Sequence, residues 1–454
     1  MTPTARRRAP LPALLTTVLL TAFLTVALLA PGLPAAGAPA VGTGTGTAIE
    51  VAPPAPPDPD PAALAALPRA PAALPGLAPL GACPAGIAPA GFDALLPEPA
   101  AVPGASGTGV LVAVVDSGVA PHPRLTGGVA DGGDFVAGRS ARTDCDGHGT
   151  AVAGVVAAAP GPDDDGVVGV APGARVLSVR ADTAWSRTAA GPAGDESVLA
   201  RAVRAAVATP DVRVLTLALA ACRPAAGLVG GAGAPLGALR AAVREAVARD
   251  VVVVAAAGNV GSACPANDPA TAAQRVSTVP VPAWFGLDPS EVLTVGALDD
   301  DGAPDRASLA GPWVGIAAPG RVPAALDARS AGLTADLTLP GSAPAPVVGT
   351  SFAAARVAGA AVLLRARFPT MPTADVVARL RATAAPVPGA ASTAVGAGAL
   401  DVTAALSGAR PAPPPAATAP APSSDGTGWA LVAAGGVLVA VALAALVVRR
   451  RRRA

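Results

Sequence analysis

Val110–Val119 reads VLVAVVDSGV and Val251–Asn259 reads VVVVAAAGN. Neither apolar run has a polar face to give to water, so each predicts a strand covered on both sides, as in a parallel sheet wrapped by helices. Further short apolar strands are expected at Arg175–Val179, Val212–Leu219 and Val292–Val295. Helical stretches alternate with them at Gly149–Ala159, Glu196–Thr209 and Leu236–Arg249, and two more follow at Thr350–Arg367 and Thr373–Ala384. The alternation predicts an α/β fold over residues 104–408, a doubly wound parallel sheet flanked by helices. Ligands in such sheets bind at the carboxyl ends of the strands. Asp116 closes the first run there, and Asn259 the second.

Two glycine-framed segments supply the rest of a chemistry. His148 stands in DGHGT and Ser351 in GTSFAAA, each at the opening of a predicted helix. A serine hydroxyl becomes a useful nucleophile when an imidazole takes its proton, and the imidazole needs a buried carboxylate to fix its tautomer and stabilise its cation. Asp116, His148 and Ser351 are therefore the candidate catalytic set. A helix N-terminus at Ser351 offers a free backbone N–H, and the Asn259 amide a second donor, where an oxyanion would form.

DSGV, DGHGT and GTSFAAA occur in the order Asp, His, Ser, with AAAGN before the serine. The chain thereby resembles the subtilisin-like (S8) serine proteases over roughly Gly109–Ala385. DCDGHGTAVAG, PAWFG followed by VLTVGA, LAGPWVGIAAPG and RARFPT are similar to one branch, the mycosins, the membrane-anchored subtilases of type VII secretion systems. The resemblance implies a subtilisin-like fold and an endopeptidase that cleaves protein or peptide substrates through an acyl-enzyme. It implies type VII secretion membrane components as partners and no organic cofactor. Two other roles stay open: a general secreted subtilase, and a mainly structural stabiliser of the secretion complex. In subtilases the peptide adds as a strand between two extended segments. Ala181–Ser186 and Leu217–Cys222 look like these here, which makes Ala181, Leu217 and Ala218 candidate substrate contacts. Ala256 and Gly258 would wall the pocket for the side chain before the cut. One departure is Ala355, where the family's serine motif usually has proline.

The flanks read differently. Residues 1–40 carry Arg6–Arg8, an apolar stretch from Leu11 to Leu29 and small residues at 36–40, the pattern of a signal peptide, with a retained membrane helix as the alternative. Residues 41–103 form an extension rich in proline, glycine and alanine without sustained periodicity, expected to lie on the protease surface. Residues 409–428 are a proline-rich linker. Residues 429–448 contain no charge and are followed by Arg449–Arg453 in the basic tail, 449–454, which predicts a single membrane span with the protease domain extracytoplasmic.

Four cysteines suit an oxidising compartment and allow three pairings. Cys222 and Cys264 follow the ends of consecutive strands, so the expected bridges are Cys222–Cys264 and Cys83–Cys145. With no Cys-x-x-Cys pair and two histidines, zinc is not expected. Asp163, Asp164 and Asp165 raise calcium, though consecutive carboxylates in a Gly-Pro-flanked loop are more often solvated, and no metal is assigned. His122, between two prolines, reads as a surface turn residue. The net charge of +1 gives no basic surface for nucleic acid.

Overall fold

β1, Leu111–Asp116, is buried at every residue in the computed structural model, which describes residues 49–83, 104–161, 165–189, 191–229 and 233–408. Its side chains divide between two cores. Val112 and Val114 join one, while Leu111, Ala113 and Val115 join the other. The period of two along a strand sends alternate side chains to opposite faces, so an unbroken apolar run needs helices on both.

Six more strands complete the sheet: β2 (Val129–Asp134), β3 (Arg175–Arg180), β4 (Val212–Leu217), β5 (Val252–Ala256), β6 (Leu293–Leu298) and β7 (Val314–Pro319). All neighbours are parallel, in the order β7-β6-β5-β4-β1-β3-β2. The winding reverses between β1 and β4, the switch point at which such sheets open a crevice. The main helices are α1 (His148–Ala157), α2 (Glu196–Ala208), α3 (Gly233–Ala248), α4 (Thr350–Arg367) and α5 (Thr373–Ala382). Residues of α1 and α4 pack in the Val112 core, and residues of α2 and α3 in the Leu111 core. Every residue of α4 from Thr350 to Arg365 is buried.

Most expected elements fall within a few residues of their expected limits. The two outermost strands, β2 and β7, were not foreseen. β2 is VADGGD, and glycine and aspartate are poor strand formers that an edge tolerates. β7 ends on Pro319, which is also at home at an edge.

The extension follows the surface of the sheet-bearing body over residues 49–83. Val51 pairs with Val276, and Ala78 and Pro79 pair with Arg187 and Ser186. A short helix, Pro61–Ala66, forms within this stretch that lacks sustained periodicity. Asp60 caps it by accepting from Ala63 N at 2.8 Å, and Pro61 fits the first helical position. Proline removes N–H donors but keeps its carbonyl oxygens, which need partners. Arginines of the body supply them. Arg204 donates to the carbonyls of Leu64, Leu67 and Pro68, Arg201 to those of Pro68 and Ala70, and Arg240 to those of Pro56 and Pro57. Cys83 is joined to Cys145, and Cys222 to Cys264, with Cα atoms 5.0 and 5.3 Å apart.

The expected signal peptide (1–40), linker (409–428), membrane span (429–448) and basic tail (449–454) lie outside the described residues, as do 41–48 and 84–103 of the extension. Among the described residues no helix is long and apolar enough to cross a membrane.

Candidate active site

Asp116 ends β1 fully buried, and His148 opens α1. His148 Nδ1 lies 2.8 Å from Asp116 Oδ1. Gly149 permits the approach, because a Cβ there would stand 2.0 Å from the Gly118 carbonyl oxygen and 3.0 Å from Asp116 Cβ. Ser117 N also donates to Asp116 Oδ1 at 2.7 Å.

The N-cap of α1 is Gly147, which has no side chain to cap with. Asp144 takes that place by accepting from Gly147 N, Thr150 N and Thr150 Oγ1 at 2.9, 2.9 and 2.6 Å. It also accepts from the Ser117 hydroxyl at 2.9 Å, which links it to the Asp116 turn. Asp146 accepts from Thr183 Oγ1 and Ala184 N at 2.6 and 2.7 Å, tying the histidine loop to the segment after β3.

These acids set the electrostatics of the imidazole. Burial alone would lower the His148 pKa, but the charge and hydrogen bond of Asp116 outweigh it. With Asp144 and Asp146 adding to the effect, the pKa is raised to about 9. Burial raises Asp144 to about 6 and Asp182 to about 7, with neighbouring carboxylates adding to the effect. The Phe352 ring, 5.3 Å from the imidazole, packs beside it.

Ser351 is the second residue of α4, and its hydroxyl donates to the Ala218 carbonyl at 2.9 Å. Asn259 Oδ1 accepts from Thr350 N and Thr350 Oγ1 at 3.0 and 3.1 Å. Those bonds fix the amide's orientation and leave the Nδ2 donors unspent. Gly349, at φ 147°, is required next to it: a Cβ there would be 2.9 Å from Asn259 Nδ2.

Asp116, His148, Ser351 and Asn259 line one cleft of about 410 Å³ at the carboxyl ends of the strands. Ala218, Ala256 and Gly258 line it too. Two residues expected as backbone contacts, Leu217 and Ala181, do not line this cleft. The Leu217 side chain is fully buried in the core beneath the cleft, because it ends β4 facing the helices. Ala181 lines a smaller neighbouring cavity. Sequence reasoning missed the opposite wall, where Leu337, Leu339, Ala345 and Pro346 belong to a hairpin formed by Asp336–Leu337 and Ala345–Pro346. No periodicity marks strands two residues long. It also passed over Asp144 and Asp146, which frame Cys145 in the histidine motif itself.

His122 is not a surface residue. It is buried, with Nε2 3.0 Å from the Gly332 carbonyl and Nδ1 accepting from Arg124 N at 3.2 Å, and burial lowers its pKa. Asp165 accepts from Arg124 Nη1 at 2.7 Å, while Asp163 and Asp164 lie outside the described residues. Among the described residues no group of three His, Cys, Asp or Glu could hold a metal ion.

A hydroxyl, an imidazole on a buried carboxylate and a free amide in one cleft are the parts of nucleophilic acyl transfer. Residues 107–398 match the model of the subtilase family. The chain is 40% identical to Mycosin-3 of Mycobacterium tuberculosis over 398 residues, 79% of this chain and 83% of that protein. The chain belongs to the subtilase family, in its mycosin branch. Solved subtilase structures agree. The MycP3 protease from the type VII (ESX-3) secretion system is 37% identical with a TM-score of 0.65, covering 78% of this chain and 99% of that one. A chain of the intact ESX-5 inner membrane complex is 33% identical with a TM-score of 0.67, covering 87% and 98%. This subtilase is a serine endopeptidase of the hydrolase class.

Proposed function

We propose that this subtilase is a membrane-anchored, extracytoplasmic endopeptidase that works with a type VII secretion assembly. The carrying observation is the His148–Asp116 hydrogen bond in the same cleft as Ser351 and Asn259. In the reaction, Ser351 turns its hydroxyl from Ala218 to His148, loses its proton to that imidazole and attacks the peptide carbonyl. The oxyanion is held by Asn259 Nδ2 and the backbone N–H at the head of α4. His148 then protonates the leaving amine, and water resolves the acyl-enzyme by the same route. The peptide lies along Leu217–Cys222 and Ala181–Ser186 through backbone pairing. The uncharged stretch 429–448, followed by five arginines, supports a membrane anchor with the body outside. The test is reaction of the oxidised full-length protein with a fluorophosphonate. Mass spectrometry should find the adduct on Ser351 and none in Ser351→Ala, and an unreactive wild type sinks the reading.

A second role is favoured by the likeness to a chain of the ESX-5 inner membrane complex. In it the body braces the secretion assembly independently of cutting. Ser351→Ala should then still support secretion, whereas deletion of the gene abolishes it. Equal loss in both strains is the outcome expected of a purely enzymatic role and counts against bracing independent of cutting.

A further inference from the structure

Beside the cleft lies a smaller cavity of about 70 Å³ that shares Asp182, Leu219 and Ala220 with it. Its walls include the apolar Leu199, Ala221 and Val281, and three acidic residues, Asp182, Asp195 and Glu196, also line it. Two of these are already committed. Asp195 caps α2 by accepting from Val198 N at 2.8 Å, and Glu196 is held by the Arg223 guanidinium, with Nε at 2.8 Å. Asp182 accepts from Thr183 N at 2.8 Å and has no ion pair among the described residues. It is also held in place. A Cβ at Gly194 would come within 2.8 Å of Asp182 Oδ1, and Asp146 grips the two residues that follow Asp182.

We propose that this cavity is a subsite for a lysine or arginine side chain of the substrate, with Asp182 as its specificity-determining carboxylate. The inference rests on the endopeptidase reading. A basic side chain combines an apolar stem with a cationic tip, which matches an apolar-walled recess ending on a carboxylate that has the charge of nearby His148 but no ion pair among the described residues. An acidic side chain would meet three carboxylates, and a leucine would leave Asp182 further desolvated and unpaired. The recess adjoins Leu219 and Ala220, inside the segment expected to pair with the peptide. The basic residue therefore lies near the cut bond without being the residue in the Ala256–Gly258 pocket.

The test uses the full-length oxidised protein and peptides carrying Lys, Leu or Glu at each position in turn around one cleaved bond. At one position kcat/KM for Lys should exceed that for Leu by about tenfold, with Glu poorest. Asp182→Asn should reduce the Lys/Leu ratio to within about twofold, and Asp182→Lys should invert it toward Glu. A wild-type ratio below about twofold at every position, or a preference that survives Asp182→Asn, overturns the proposal. Should Asp182→Asn fail to fold, the wild-type ratio decides between about 0.05 M and about 0.5 M salt: an ionic subsite loses preference, and an unchanged ratio overturns it. Binding of the same peptides to Ser351→Ala by calorimetry reads the subsite without catalysis. Failure of phosphonate labelling would sink the endopeptidase reading, while the Lys/Leu binding ratio would still judge the subsite.

Discussion

The Ser351 hydroxyl donates its proton to the Ala218 carbonyl at 2.9 Å, so that proton is not engaged by the imidazole of His148. The arrangement fits the charge state of the ring. Asp116, against the opposing effect of burial, raises the His148 pKa to about 9, which favours the protonated ring over the free base near neutral pH.

Activity should therefore climb with pH. The neutral imidazole is the base, so kcat/KM and the rate of phosphonate labelling should rise about tenfold per pH unit below the His148 pKa and level off above it. A profile flat between 6.5 and 9 contradicts the assignment. The stability linkage runs the other way. The folded pKa lies above the ordinary 6.5, so the His148–Asp116 contact stabilises the fold fully below 6.5 and is lost as pH rises through about 9. The chain has two histidines, and burial lowers His122. Their NMR titrations should thus fall on opposite sides of 6.5.

Asn259→Asp keeps an oxygen to accept from Thr350 but removes the Nδ2 donors. Turnover should fall about 10²- to 10³-fold with little change in KM, the cost of one oxyanion donor. Unchanged kcat would place the oxyanion donor elsewhere.

Asp144→Ala deletes four hydrogen bonds, three at the start of α1 and one from the Ser117 hydroxyl. Thermal unfolding should show a loss of about 2 kcal/mol, and kcat should fall more than KM rises, because the residue positions His148 without meeting substrate. Asp144→Asn, which keeps one acceptor, should recover part of both.

The extension should come away in two steps. Arg204→Ala abandons the carbonyls of Leu64 and Leu67 and leaves Pro68 with Arg201 alone, at a cost of about 2 kcal/mol, so limited proteolysis near Pro68 should speed up. A cut between residues 84 and 103, by contrast, should leave the arm attached through Cys83–Cys145 until a reductant is added. Release without reductant would argue against the bridge.

The fold was legible where one physical requirement governed a whole segment. Val110–Val115 and Val251–Ala256 have no polar face, as central strands require, and the run after Ser351 forms the helix expected there. The chemistry was legible because Asp116, His148, Ser351 and Asn259 each sit beside glycines or at a strand end. What escaped depends on distant partners. β2 is a strand because β3 offers it an edge, Leu217 points to the core because of its register on β4, and His122 is buried by the loop carrying Gly332. No local pattern encodes those neighbours.

The burial of α4 from Thr350 to Arg365 also sets which parts of the site can move. A helix enclosed by both sheet and helices opens only when the whole domain unfolds, so its amides should be among the slowest to exchange with solvent. The nucleophile thus stands on the least yielding part of the molecule. The strand that follows Asp182 and the hairpin carrying Leu337 lie outside the central sheet and are only partly buried. Sequence drift can reshape what is recognised there without disturbing the reaction.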